Sequence, residues 1–306
     1  MRAKAAKLPR GYWKRNFWLY LFLVPGLIFF LVFCYAPMYG VSIAFQEYSP
    51  VLSFSGSPWV GWKNFEYLFT SENFLNVFSN SLIISLLRLA WGFPAPILLA
   101  VLINEVKLQR FKKASQTILY LPHFISWVVL SGMIINLLSP SSGALNYLIE
   151  LFGGEKHAFL QDPSCFRTIL VASDIWKEAG WGTIVYLAAI SGIDSEMYEA
   201  ARIDGAGMLQ KIIYVTIPNL TPTIVVLFIL RLGSILRNGF EQIFMLYSPV
   251  VYDVADVFET YTYRMAMVEG RFSFATAVGL FQSVVGLILV FGTNKISQRI
   301  GGNGLW

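Results

Sequence analysis

Three charged residues lie close together in an otherwise apolar part of the chain. Asp174, Lys177 and Glu178 are three and four residues apart, so a helix would place them on one face. Trp176 and Trp181 flank them. Aromatic planes can stack on sugar rings, and charged groups can bond to hydroxyls or acidic substituents. The group therefore predicts contact with a polar substrate, although ion pairing that holds helices together would explain the same charges.

Two arginines in other apolar runs, Arg88 and Arg231, are also candidates for contact with the substrate. Together with the five residues above they form the predicted substrate path. Charges within membrane helices are costly, so each one marks a functional site or a pair. His123 is interpreted as a packed or interfacial histidine, because no Cys or His cluster accompanies it. Cys34 and Cys165 indicate neither a disulfide nor a metal site. No triad, acid pair or metal spacing is evident, so no catalytic or metal-binding residue is expected.

A second candidate site is the polar segment 194–218, which separates two long apolar runs. Asp194 is a favourable helix N-cap and Glu196 adds negative charge in the first turn, which predicts a helix over 195–203. The stretch 204–207, which contains two glycines, should end that helix. A second helix is expected from Met208 into Pro218, so that a short helix-turn-helix lies across the cytoplasmic face.

The composition of this segment suits contact with another protein. A partner could approach the backbone closely at four residues that have little or no side chain, namely Ala200, Ala201, Gly205 and Ala206. Glu199 and Asp204 add charge that can pair with basic residues on that partner. A capped amphipathic connector without a partner remains the alternative interpretation.

The overall composition indicates a membrane protein. Apolar residues make up 56% of the 306 residues and charged residues only 13%, which is too apolar for an ordinary soluble domain. A helix needs roughly 20 residues to cross the hydrocarbon layer. Six apolar runs meet that length, at 17–37, 79–104, 116–138, 166–192, 218–238 and 274–294. The predicted fold class is therefore all-α, a polytopic protein with six transmembrane helices, in which Pro122 kinks the third near its inner end.

The distribution of lysine and arginine predicts the orientation. Basic residues concentrate before the first run and in the segments after the second, fourth and sixth runs, which places both termini inside. The predicted organisation is a cytoplasmic tail at 1–16, a transmembrane domain at 17–294 and a second cytoplasmic tail at 295–306. The net charge of +5 reflects this topology and gives no case for nucleic-acid binding. A cleaved signal peptide is disfavoured because the first apolar core is too long.

The residue order in the polar segment resembles the EAA motif of membrane subunits of ATP-binding-cassette importers. That pattern is Glu-Ala-Ala, three residues, Gly, and then nine or ten residues to Ile-x-Leu-Pro. It appears here as Glu199-Ala200-Ala201, Gly205 and Val215-Thr216-Ile217-Pro218. Elsewhere, 60–65, 120–122 and 175–181 look like the carbohydrate branch of the family, and the ending Gly304-Leu305-Trp306 resembles lipoprotein-associated polysaccharide permeases.

The resemblance implies a type I importer permease fold in the cell membrane of a bacterium. It also implies that Glu199, Ala200, Ala201, Asp204, Gly205, Ala206 and Pro218 form a coupling element that docks into a separate ATPase dimer. The implied partners are a second homologous permease, an external sugar-binding lipoprotein and membrane lipid. This chain has no Gly-x-x-x-x-Gly-Lys-Ser/Thr loop. ATP and Mg²⁺ are therefore expected at the partner ATPase, with no cofactor on this chain.

Two other classes of membrane protein fit the sequence less well. An ion-coupled secondary transporter also suits kinked helices and intramembrane charges, but it predicts an inverted repeat, which the sequence lacks. An integral membrane enzyme would require a cluster of acids, histidines or a nucleophile near one face. The sequence therefore favours the permease of an importer that moves a sugar or oligosaccharide into the cytoplasm, while the sugar itself is not specified.

Overall fold

The computed structural model describes residues 12–299, so the basic residues before Tyr12 and the C-terminal Gly-Leu-Trp ending lie outside the described residues. In chain order the helices are α1 (Tyr12–Arg15), α2 (Phe17–Phe45), α3 (Ser53–Gly56), α4 (Lys63–Thr70), α5 (Glu72–Glu105), α6 (Gln109–Phe124), α7 (Trp127–Leu137), α8 (Ala144–Leu151), α9 (Pro163–Ser191), α10 (Ser195–Ile203), α11 (Met208–Gly233), α12 (Phe240–Leu246), α13 (Tyr252–Ala255), α14 (Phe258–Tyr263) and α15 (Phe272–Arg299). Short helical turns at Pro249–Val251 and Arg264–Val268 precede α13 and follow α14. Between residues 12 and 299 no strand forms, apart from one isolated bridge, so the all-α prediction is confirmed.

Four of the described helices are long and apolar enough to cross a membrane, namely α2, α5, α11 and α15. The pair α6 and α7 would make a fifth span if it is counted as one broken element. Helix α9 has 29 residues, about 43 Å at 1.5 Å per residue, but its first half is interrupted by charge. The predicted number of six spans therefore stays a prediction.

The third predicted span, 116–138, is not one straight helix. Helices α6 and α7 meet at an angle of 98°. The backbone becomes extended at Ile125, and the Ser126 side chain then accepts from the Val129 amide at 3.3 Å to start α7. Pro122 marks this region correctly, but the sequence predicts a kink where the structure has a full break.

Four apolar clusters hold the described helices together, and the smallest of them joins the end of α2 to α4 and α15 at Ala44, Phe65 and Ala277. One joins α7, α9 and α12 around Leu130, Phe166 and Ile243. Another joins α5, α9 and α11 around Tyr186 and Leu220. The third joins α4, α5, α14 and α15. Each cluster includes residues far apart in sequence, so the helices pack into one continuous body.

Helix α2 lies at the edge of this body. None of the residues in its most apolar 18-residue stretch is buried, and Phe22 is 80% exposed. Its last turns, Ala36–Phe45, pack against α15. An exposed apolar face of this length fits a surface that is solvated by lipid rather than by water.

Two helices approach each other closely at Gly180 of α9. A Cβ built there would lie 1.9 Å from the carbonyl oxygen of Leu119 on α6. Only glycine lets the two backbones come this close. The contact fixes α6 against the middle of α9, and so positions the break that follows α6.

We expect Gly180→Ala to separate α6 from α9 and to lower the free energy of unfolding by at least about 2 kcal/mol, as overpacked cores do. The measurement is thermal unfolding of the purified protein in detergent. Gly279→Ala in α15 is the matched control, because nothing lies within 4 Å of its added Cβ. Equal melting temperatures for the two variants would contradict the close approach.

Candidate functional site

The polar segment 194–218 folds largely as its sequence predicts. Asp194 caps α10, with Oδ1 accepting from the Glu196 amide at 3.0 Å. The helix ends at a turn in which Gly205 has φ +78°, a conformation that glycine adopts without strain. The Ala206 amide donates to the Ala201 carbonyl at 2.9 Å and closes the turn. The predicted helix and its glycine turn are confirmed.

The second half of the segment differs from the prediction. Helix α11 runs from Met208 through Pro218 and Pro222 to Gly233 without ending. Residues Ile212–Thr216 form a wider helical turn, and Pro218 lies in the first regular turn after it. At this position the amide donor that proline lacks costs little. The segment therefore contains one short helix, and its second helix is the beginning of the next apolar helix.

The outer surface of the segment is open. Glu199, Ala200, Asp204 and Gly205 are exposed, and Ala201 and Ala206 are half-buried. Neither acidic side chain forms an ion pair within residues 12–299. Ile203 is 87% exposed on the same element. Free carboxylates beside an exposed apolar side chain form a surface that can bind another protein.

Tyr198 and Thr216 hold this segment on the bundle, a contact that the sequence does not predict. The Tyr198 hydroxyl lies 3.0 Å from the Thr216 hydroxyl, and Thr216 is buried. This bond ties α10 to the first turns of α11. The only signal in the sequence is a threonine inside an apolar run, which is too common to identify such a contact.

A cavity of about 570 Å³ lies between α5, α9 and α11. Five of the predicted path residues line it, namely Arg88, Asp174, Glu178, Trp181 and Arg231. Arg237, which the sequence analysis did not select for the path, lines it as well. The wall thus carries three guanidinium groups and two carboxylates beside an indole ring. Such a wall can bond to a polar, charged substrate and stack on one of its rings.

Arg88 is buried although it is charged, and hydrogen bonds hold its guanidinium group in place. Its Nη1 donates to the Asn238 carbonyl at 2.6 Å, and its Nη2 donates to Oε1 of Gln242. Gln242 is buried in turn and donates to the Leu170 carbonyl and the Ser173 hydroxyl, both at 2.8 Å. In the sequence, Gln242 could have been recognised as a polar residue among the apolar residues of the short helix α12. Its partner is visible only in the structure.

Lys177 and Trp176 are placed differently from the other predicted path residues. Neither lines the cavity. Lys177 is buried and its ammonium group donates to the His123 carbonyl at 2.6 Å, at the break between α6 and α7. It also lies 3.3 Å from a carboxylate oxygen of Glu178. These contacts favour the helix-pairing interpretation for Lys177. Trp176 is half-exposed on another face of α9.

His123 links the break to the cavity wall. Its Nδ1 lies 2.8 Å from Oε2 of Glu178, and its ring stacks on Trp181 with centroids 4.5 Å apart and planes within 4°. The predicted packing role for His123 agrees with this geometry. Because Glu178 and Trp181 line the cavity, a change in the angle of the break would move the wall.

Comparison with known proteins relates the chain to membrane transporters. Residues 92–302 match the family described as "Binding-protein-dependent transport system inner membrane component". Protein LplB of Bacillus subtilis (strain 168) is 46% identical over 96% of this chain and 92% of its own length. The polygalacturonan/rhamnogalacturonan transport system permease protein YteP of the same organism is 46% identical over 94% of this chain and 90% of its own.

A solved structure supports the same relation. A chain in the crystal structure of a bacterial ABC transporter involved in import of the acidic polysaccharide alginate is 46% identical, with a TM-score of 0.87. The match covers 94% of this chain and 97% of that one. The family match at 92–302 covers segment 194–218, α9, α11 and the second part of α5, and the structural match covers 94% of the chain.

We expect Lys177→Met to destabilise the protein without changing which solute it prefers. The variant keeps the length of the side chain but removes the charged donor to the His123 carbonyl, a bond worth about 1.5 to 3 kcal/mol. Thermal unfolding in detergent measures the loss, and Lys113→Met, at an exposed site on α6, is the control. A variant that melts like the wild type but shows altered solute preference would instead place Lys177 on the path.

Proposed function

The chain belongs to the family of binding-protein-dependent transport system inner membrane components, and on this premise we propose what passes through its cavity and how that passage is driven. It is a permease subunit of an ATP-driven importer of sugars or oligosaccharides, and it is not an enzyme. The observation that carries the proposal is that α9 and α11, which form two walls of the cavity, are joined by the exposed segment 194–218.

Segment 194–218 is the contact for the ATPase subunit. Glu199 and Asp204 are its charged anchors, Ala200, Ala201 and Ala206 allow close approach, and Gly205 forms the turn. Helix α11 has 26 residues, about 39 Å, and carries Arg231 near its far end. Closure of the ATPase dimer around ATP and Mg²⁺ therefore displaces α11, and this continuous helix moves the cavity wall. A shift of this kind requires that ATP bind the two states with different affinity.

The substrate is an oligosaccharide that carries carboxylates. The alginate importer acts on what is described as an acidic polysaccharide, and YteP is named for polygalacturonan and rhamnogalacturonan. In this chain Arg88, Arg231 and Arg237 line the cavity and outnumber Asp174 and Glu178. Because the guanidinium group of Arg88 already donates to Asn238 and Gln242, Arg231 and Arg237 are the candidates for contact with a carboxylate. Guanidinium groups bind carboxylates bidentately, whereas the two acids suit sugar hydroxyls. Trp181 provides a stacking surface for a sugar ring.

The chain works in an assembly in a membrane. It pairs with a second permease and with the ATPase, and an alginate transporter has been crystallised with an oligosaccharide-bound periplasmic protein. We place segment 194–218 and both tails, 1–16 and 295–306, on the cytoplasmic side of a bacterial cell membrane. The positive-inside distribution of basic residues supports this orientation. The opposite end of the bundle then meets the sugar-binding protein.

We expect Gly205→Asp to lower sugar uptake by about tenfold or more while ATP hydrolysis continues, since coupling between sites is commonly worth 5- to 150-fold. The comparison is uptake against ATP hydrolysis in vesicles that carry the whole assembly. Gly153→Asp is the matched control, because Gly153 has nearly the same positive φ, +81°, with open space around it. Normal uptake by Gly205→Asp would overturn the coupling role.

We expect Arg231→Gln to lower uptake of a uronic-acid oligosaccharide by about tenfold, because a hydrogen bond to a charged group is lost. Uptake of the same oligosaccharide with its carboxylates reduced to alcohols should not change. Arg110→Gln, at an exposed site on α6 away from the cavity, is the control. An equal loss for both substrates would argue against carboxylate recognition by Arg231.

A further inference from the structure

Three side chains with metal-ligating atoms converge at the start of α9. Nε2 of His157 lies 2.7 Å from Oδ2 of Asp162. The Cys165 sulfur lies 3.5 Å from that same oxygen and 3.9 Å from that same nitrogen. No sequence motif predicts this group, since residues 157, 162 and 165 do not follow a familiar metal-binding spacing. The loop before α9 and the first turn of α9 bring them together.

Two of the three ligands are held in place by neighbouring groups. The backbone of His157 is fixed on both sides by the buried Asn146, which donates to its carbonyl at 2.9 Å and accepts from its amide at 2.8 Å. Asp162 caps α9, with Oδ1 accepting from the Ser164 amide at 2.8 Å, so that Oδ2 is directed to the cluster.

The third ligand, Cys165, follows Asp162 by three residues, within the first turn of α9. Side chains three residues apart lie on the same face of a helix. The helix therefore holds the thiol beside the carboxylate, and no separate loop has to fold to bring it there.

The geometry matches a metal site better than a catalytic triad in which a histidine and a carboxylate activate the cysteine. In such a triad the thiol and the carboxylate contact different nitrogens of the imidazole. Here both approach Nε2, so the three ligand atoms surround one point. In the described part of the chain this is the only group of three or more His, Cys, Asp or Glu side chains that converges in this way.

The ligand set selects the class of ion. Thiolate, imidazole and carboxylate together suit Zn²⁺, whereas Mg²⁺ and Ca²⁺ prefer oxygen ligands alone. Zinc bonds of about 2.0 to 2.3 Å in a tetrahedron hold ligand atoms roughly 3.3 to 3.6 Å apart. Two of the observed separations are close to that range. The His157–Asp162 pair must open by roughly half an ångström, which a small side-chain rotation supplies.

We propose that His157, Asp162 and Cys165 form a binding site for a divalent cation of the Zn²⁺ class, with the fourth coordination position open to solvent. The His157 side chain is 45% exposed, so an ion can enter without unfolding the loop. Binding releases the thiol proton to solvent. The bound ion fastens the loop before α9 to the helix that forms one wall of the cavity.

The test is a titration of the tag-free, full-length protein in detergent with Co²⁺, which reports thiolate coordination by a charge-transfer band. We expect one ion per chain, displaced by Zn²⁺. Asp162→Asn keeps a good helix cap but removes the charged ligand, and it should weaken binding at least about tenfold. Cys165→Ser should abolish the band, whereas Cys34→Ser, at the other cysteine, should leave it unchanged.

A further variant distinguishes a preorganised metal site from metal binding by the cysteine thiol alone. Asn146→Ala leaves all three ligands in place but frees the backbone of His157, and we expect about 10- to 100-fold weaker binding, as is typical when support for a ligand is lost. Matched melting curves check the fold of each variant. Absence of the cobalt band in the wild type, or a band that survives in both Asp162→Asn and His157→Ala, would overturn the proposal.

Discussion

A guanidinium group buried among apolar helices sets the arrangement of the central bundle. Such a charge is tolerated only where fixed polar groups replace the water it has lost. Arg88 finds them in the Asn238 carbonyl and in Gln242. Gln242 is itself fixed to α9 at Leu170 and Ser173. Helices α5, α9 and α12 must therefore keep their relative positions, and the cavity takes its shape from that requirement.

The same principle explains the break between α6 and α7. Carbonyls at the end of a helix lack partners, and in an apolar environment each one needs a donor. Lys177 supplies a charged donor to the His123 carbonyl, and Ser126 caps the helix that follows. The break is thus a supported corner of the structure. It lies beside the cavity, with which it shares Glu178.

Coupling depends on continuity along the chain. Segment 194–218, which we propose as the contact for the ATPase, is bounded by α9 on one side and α11 on the other, and both helices supply walls of the cavity. A helix transmits displacement along its axis, because its hydrogen bonds run from turn to turn. The Tyr198–Thr216 bond adds a lateral tie near the base of α11. A movement of the exposed segment can therefore reach Arg231 through the turn at Gly205, the Tyr198–Thr216 bond and the length of α11.

The membrane class, the capped helix at 195–203 and the turn at Gly205 can be predicted from the amino-acid sequence, because composition, caps and glycine conformation are local properties. The sequence also identifies most of the charges that line the cavity, since a charge in an apolar run is conspicuous. The sharp angle between α6 and α7 and the continuation of α11 through Pro218 become visible only when the helices are packed together. The same is true of the different positions of Lys177, which donates to the His123 carbonyl, and Arg231, which lines the cavity. These outcomes depend on which helix lies opposite each residue, and that is fixed by packing between segments far apart in the chain.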